Sequence, residues 1–128
     1  MLNEYIKQWR FILLGVVIYW LVLCCLAYAQ GDKWLITAYC PCKICYGKNA
    51  KGITASGKRA KVGMAACNWL KFGTKVKIDG KVYVVEDRGA KSLFGDKNNH
   101  IKHIDIFFNT HNEAKQFGRQ YLEVEILN

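Results

Sequence analysis

From residue 62 onward the apolar residues fall in runs too short for a helix and spaced two apart. Val76 and Ile78 alternate with Lys75 and Lys77, and Leu122, Val124 and Ile126 alternate with Tyr121, Glu123 and Glu125. A period of two puts successive side chains on opposite faces, so each run reads as a strand with one dry and one wet side. Asp79-Gly80, set between Ile78 and the β-branched and aromatic run Val82 to Val85, is a two-residue turn signal that makes this pair a hairpin. Trp34 to Tyr39, Val62 to Cys67 and Ile104 to Phe108 add three further strands. Thr110 followed by Glu113 three residues on is a capping-box signature, and Gly118 is a stop, which predicts a short helix over His111 to Phe117. Many short strands expose many edges, and closing the sheet on itself removes them. The expected fold class is mainly β, a small six-stranded barrel with one or two short helices.

The chain ahead of this pattern has a different character. Lys7 and Arg10 precede an apolar run from Phe11 to Leu26 that ends in Ala27-Tyr28-Ala29, the order of a secretory signal with an A-x-A site. Cleavage is expected before Gln30, dividing the chain into a signal or anchor over 1–29 and one domain over 30–128. Because 11–29 is nearly long enough to span a bilayer, an uncleaved anchor is the alternative. A lipoprotein signal is disfavoured by Leu23 before Cys24, where a small residue is expected. In each case the domain is exported, to the periplasm, the cell wall or the medium. The hydrophobic share of 52% is inflated by this segment. The net charge of +9 is not, since the segment carries only Glu4, Lys7 and Arg10. The lysines are spread from Lys33 to Lys115, which suits attraction to a polyanionic surface such as wall polymer or anionic lipid better than a basic tail. Nucleic acid is not expected as a partner, because the aromatic platform interleaved with basic residues that single-strand binders use is missing. A monomer is expected.

Two aspartates stand where strands disfavour them. Asp87 closes Val84-Val85-Glu86-Asp87 before Arg88-Gly89, at a turn. Asp105 lies inside Ile104-Asp105-Ile106-Phe107-Phe108, where alternation groups it with Phe107 and sets both opposite Ile104, Ile106 and Phe108. If the isoleucines face the core, Asp105 faces a groove, and partial burial raises its pKa toward the range of a general acid. The alternative is a carboxylate that merely accepts hydrogen bonds from the Gly89 to Lys102 loop or pairs with Arg88.

Seven segments occur in a telling order: Ile36-Thr37-Ala38-Tyr39; Gly52-Ile53-Thr54-Ala55-Ser56-Gly57; Gly63-Met64-Ala65-Ala66-Cys67; Leu70-Lys71-Phe72-Gly73-Thr74-Lys75-Val76; Val85-Glu86-Asp87-Arg88-Gly89; Ile104-Asp105-Ile106-Phe107-Phe108; and Ala114-Lys115-Gln116-Phe117-Gly118. In order and spacing they resemble the three-aspartate (3D) domain family, whose double-psi β-barrel is similar to the catalytic barrel of membrane-bound lytic transglycosylase A and to stationary-phase peptidoglycan-cleaving proteins. The resemblance implies a double-psi barrel and a lytic transglycosylase-like cleavage of the β-1,4 bond between N-acetylmuramic acid and N-acetylglucosamine in peptidoglycan strands. It makes Asp87 and Asp105 the second and third family aspartates, with Asp105 as general acid and base and Asp87 as orienting or charge-stabilising partner. Thr54, Ser56, Gly57, Arg88, Gly89 and Phe107 become the expected substrate-binding residues. The first aspartate has no counterpart: Ala66-Cys67-Asn68 stand there, Cys67 the nearest match, and Arg88 replaces a common Thr. A non-catalytic wall-glycan-binding module on the same barrel is therefore the second expectation.

Cys40, Cys42, Cys45 and Cys67 remain in the domain, and export favours disulfides among them. A Cys₄ zinc site is the alternative, and otherwise no cofactor or metal is expected. His100, His103 and His111 show no ligand spacing and read as surface residues. Trp34, Trp69 and Phe107 are aromatic candidates for sugar stacking or for the core.

Overall fold

The computed structural model describes residues 1–28, 32–47 and 51–127, and the chain divides into two compact units, Met1–Gly31 and Asp32–Asn128. The first is a single helix, α1 (Leu2–Tyr28), of which Leu2–Cys25 has a mean hydropathy of 1.8 and the length to cross a bilayer. The expected cleavage point before Gln30 lies outside the described residues.

The second unit is a closed barrel of six strands. They are β1 (Lys33–Tyr39), β2 (Met64–Ala66), β3 (Lys75–Ile78), β4 (Lys81–Asp87), β5 (His103–Phe107) and β6 (Gln120–Leu127). Around the barrel the order is β1-β5-β2-β4-β3-β6. The β1–β5 and β2–β4 pairs are parallel and the others antiparallel, so no strand edge is left open. The predicted hairpin is β3–β4. Its turn puts Asp79 at φ 48° and Gly80 at φ 73°, the two positive φ values that match the strand twist.

The described residues of this unit hold three short helices, one more than the upper expectation. They are α2 (Lys43–Tyr46), α3 (Lys91–Phe94) and α4 (His111–Phe117). The first two are four-residue turns in polar loops, too short to carry a helical period that sequence can reveal. α4 has the predicted bounds and the full capping box: Glu113 N–H donates to Thr110 Oγ1 while the Glu113 carboxylate accepts from Thr110 N–H.

The barrel interior is filled by Trp34, Ile36, Ala65, Val76, Ile78, Val85, Ile104 and Ile106, with Cys67 and Leu70. Ile104 and Ile106 face this core as alternation requires, and Phe108 packs against it. Asp105 and Phe107 face the other way. Phe107, with Tyr39 and Ala66, forms a second, smaller cluster on the opposite side of the wall. That side carries the site.

Candidate functional site

Alternation alone would put Asp87 on the core side with Val85. A β-bulge prevents this. Ala65 pairs with Val85, but the next residue, Ala66, pairs with Asp87, so Glu86 is the extra residue and β4 turns over at that point. Ala66 is also the register partner of Asp105 on its other flank. The two aspartates thus lie on either side of one alanine, on the same face of β4-β2-β5, with Cα atoms about 10 Å apart from two strand spacings. The small side chain of Ala66 leaves the space between them open. A cavity of about 330 Å³ results, lined by Tyr39, Cys45, Tyr46, Asp87, Arg88 and Asp105 among others. Through Arg88 and Gly89 it continues into a second depression of about 400 Å³ bordered by Lys91 and Lys97. A larger hollow of about 510 Å³, lined by Tyr83, Phe108, Phe117 and Leu122, lies away from both aspartates.

Asp87 is 6% exposed and fully engaged. Its Oδ1 accepts from the backbone N–H groups of Ala55 and Arg88, each at 2.8 Å. Its Oδ2 accepts from the Tyr39 hydroxyl at 3.0 Å and the Tyr46 hydroxyl at 2.6 Å. Burial, with the Asp87 charge next, raises the pKa of Tyr39, and burial and the bond to Asp87 raise that of Tyr46, so both phenols stay donors. The Thr54-Ala55-Ser56-Gly57 turn is fastened to β4 by Ser56 N–H to Glu86 O at 3.1 Å and by the Lys58–Glu86 ion pair at 2.5 Å. What reaches the aspartate is therefore the backbone of Ala55. Thr54 is only 4% exposed and bonds Ser56 Oγ and Lys58 O, Ser56 is half-buried, and Gly57 is exposed at the turn, none of them lining the cavity.

Among the described residues Asp105 has one side-chain partner, Thr37, its register neighbour on β1. Burial, reinforced by the nearby Asp87 charge and opposed by the Thr37 bond, lifts its pKa to about 6. That value credits Asp105 with the Thr37 hydrogen, and giving the hydrogen to His103 instead holds the Asp105 proton more tightly still. Thr37 Oγ1 lies 2.8 Å from both Asp105 Oδ1 and His103 Nε2 and has one hydrogen to give. His103 is 5% exposed, stacked on Phe94, with Nδ1 3.1 Å from Leu93 O. A carbonyl only accepts, so Nδ1 carries the hydrogen, and a neutral ring then offers Nε2 as a bare acceptor. Burial, with the Arg119 charge, lowers the His103 pKa and keeps the ring neutral. Thr37 satisfies His103 and an Asp105 carboxyl together when Asp105 brings its own proton.

Arg88 does not pair with either carboxylate. Its guanidinium donates to the carbonyls of Cys67 and Asp87 and lies 3.8 Å over the Phe72 ring. Gly89 is held by Asn68, whose Oδ1 accepts from Gly89 N–H at 2.8 Å and whose Nδ2 donates to Gly89 O and Gly95 O. A side chain at Gly89 would run into the Phe94 ring, so this position must be glycine for α3 to close over the site. In Ala66-Cys67-Asn68, Cys67 points into the core, and Asn68 is the polar group that orders the loop after Asp87. Phe107 is 2% exposed, edge-on to Tyr39. It supports the wall and offers no face for stacking. Trp34 is buried likewise, stacked on Trp69, whose other neighbour is the exposed His100.

The cysteines differ from expectation. Among the described residues Cys67 is a free thiol in the barrel's core cluster and is not one of the cysteines that gather at one point. Cys40, Cys42 and Cys45 gather instead with His111, four side chains that can hold a metal ion, their donor atoms all within 4.8 Å of one another. Two histidines read as surface residues are thus corrected: His103 is buried and His111 joins the cysteines. Thr37, Tyr39, Tyr46, Asn68, His103 and His111 were not singled out for these roles. The face shared by Thr37, Tyr39, Asp105 and Phe107 was available from alternation, whereas pairing across strands was not. No protein-family model matches the chain, and no curated protein matches it.

Proposed function

We propose that the chain is an exported enzyme of the 3D double-psi barrel type that cleaves peptidoglycan strands as a lytic transglycosylase. The observation that carries this reading is the half-buried Asp105, its pKa raised to about 6, facing, across Ala66, a second carboxylate pinned by four hydrogen bonds. Asp105 donates its proton to the glycosidic oxygen between N-acetylmuramic acid and N-acetylglucosamine, and the bond breaks toward an oxocarbenium-like centre. The resulting carboxylate takes the proton of the sugar's own C6 hydroxyl, whose oxygen closes a 1,6-anhydro ring and returns Asp105 to its acid form. No water is activated, so one titrating acid suffices. Asp87, fixed in place, stabilises the developing positive charge. The lysine-bordered extension of the groove suits a polyanionic wall, and α1 is the export signal or an anchor that keeps the barrel at the membrane surface.

The test is product analysis with the full-length chain on murein sacculi. Soluble anhydro-muropeptides are expected, and Asp105→Asn should abolish them with the fold retained. A second reading, a glycan-holding module without turnover, is favoured by Ala66-Cys67-Asn68, where the resemblance expects a third acid. Co-sedimentation with sacculi and no soluble product from the unaltered chain would decide for it.

A further inference from the structure

We propose that Cys40, Cys42, Cys45 and His111 bind one zinc ion in a closed, four-ligand structural site that anchors α2 beside the aspartate groove. His111 Nδ1 stands 3.7, 3.6 and 3.7 Å from the sulfurs of Cys40, Cys42 and Cys45. A single N–H hydrogen can point at one sulfur, not three, so hydrogen bonding does not explain an equidistant nitrogen. A tetrahedral ion does: with sulfur at about 2.3 Å and nitrogen at about 2.0 Å from zinc, each sulfur–nitrogen edge is about 3.5 Å. Cys40 Sγ is also 2.9 Å from Cys42 Sγ and 3.5 Å from Cys45 Sγ; a tetrahedral sulfur–sulfur edge is about 3.8 Å, so the thiols of Cys40 and Cys42 would part by about 1 Å as thiolates around the ion. A disulfide would use two of the three thiols and leave the third thiol and the ring without a reason to converge.

The surroundings supply the second argument. α2 has four residues, none of them buried, and its N-cap, Cys42, makes no side-chain capping bond. Helices this short do not hold themselves; the last residue of this one, Tyr46, is tied to the barrel by its bond to Asp87 and its packing on Tyr39, and the cysteines stand at its other end. Its ligands come from the end of β1, the α2 N-cap, α2 itself and the first residue of α4, so an ion here would tie three elements at one point. Three thiolates and an imidazole are a soft set that favours zinc over magnesium or calcium. The site also bears on the groove: Cys45 lines the aspartate cavity, and the next residue, Tyr46, bonds Asp87. Zinc would thus fix the Tyr46 donor. The site stands on its own geometry, whether or not the barrel cleaves glycan.

The experiment uses the full-length chain, purified in detergent with reductant throughout and loaded with zinc, then dialysed. Elemental analysis should find one zinc per chain, and replacement by cobalt should give the strong visible bands of a tetrahedral ion with thiolate-to-cobalt charge transfer. Cys42→Ser and His111→Ala should each lower zinc retention against a chelator by tenfold or more, whereas Cys24→Ser with Cys25→Ser should leave it unchanged. The cobalt spectrum needs no substitution, so the proposal is testable even if a variant fails to fold. No zinc uptake after reduction, octahedral cobalt bands, zinc binding that survives both ligand substitutions, or bound iron in place of zinc would each overturn it.

Discussion

Asp105 is an acid whose surroundings disfavour its charge, and that leaves a mark on stability. Its folded pKa, about 6, lies above the ordinary 3.8, so the folded state holds the proton more tightly than the unfolded chain. The stabilisation is complete below pH 3.8 and is lost as pH rises to about 6, after which stability no longer depends on this group. Asp105→Asn, which cannot ionise, is expected to raise stability at pH 7 by on the order of 3 kcal/mol and to change it little at pH 3.5, as read from urea unfolding at the two pH values. The groups that face Asp105 are Thr37 on β1, Asp87 on β4, Tyr39 and Tyr46, with His103 behind Thr37. His103→Gln replaces the bare acceptor with an amide that can donate to Thr37 Oγ1. The Thr37 hydrogen is then free for the Asp105 carboxylate, and a bond to a charged group is worth about one pKa unit. The alkaline limb of glycan cleavage should therefore move about one unit lower; an unmoved limb would show that His103 and Asp105 do not share the Thr37 hydrogen.

Each short element around the site is held by a specific contact, because none has the length to be stable alone. In α4 the contact is the Thr110–Glu113 capping box, and the helix also delivers His111 and buries Ala114. Thr110→Ala should cost about 1 kcal/mol in thermal or urea unfolding, and it should weaken metal retention by fraying the turn that carries His111. In α3 the contact is between ring and backbone: Phe94 stacks on His103 at 4.0 Å and covers Gly89. Gly89→Ala is expected to destabilise by about 1–3 kcal/mol through overpacking and to shift the Asp105 titration, since α3 supplies the Leu93 carbonyl that sets the His103 tautomer. Carbon-detected NMR of the Asp105 carboxyl across pH 4–8 measures that shift directly.

At the scale of the molecule, the closed barrel and its core cluster are formed by residues of the second unit, Asp32–Asn128, so a chain starting at Asp32 should fold and melt as the barrel does in the full chain. Scanning calorimetry of both forms checks this, and a loss of cooperative melting in the shorter one would contradict it. Much of this architecture was legible in sequence because it rests on local periodicity. Strand alternation, the Asp79-Gly80 turn, the Thr110 cap and the Ile104/Asp105 division of faces each involve residues within a few positions of one another. The site was legible only in part. That Asp87 and Asp105 are special followed from acids placed in strand settings. That they share a face follows from an extra residue at Glu86, which turns Asp87 away from the core, and from Ala66 pairing with both. Likewise, Cys40, Cys42 and Cys45 are a visible cluster, but its fourth member, His111, comes from the other side of the chain while Cys67 leaves for the core. The sequence by itself determined which segments are strands and which side of each is dry, since burial follows a period. Only the tertiary structure decided which polar groups meet on the wet side, since strand order and bulge position are set by closure of the whole barrel.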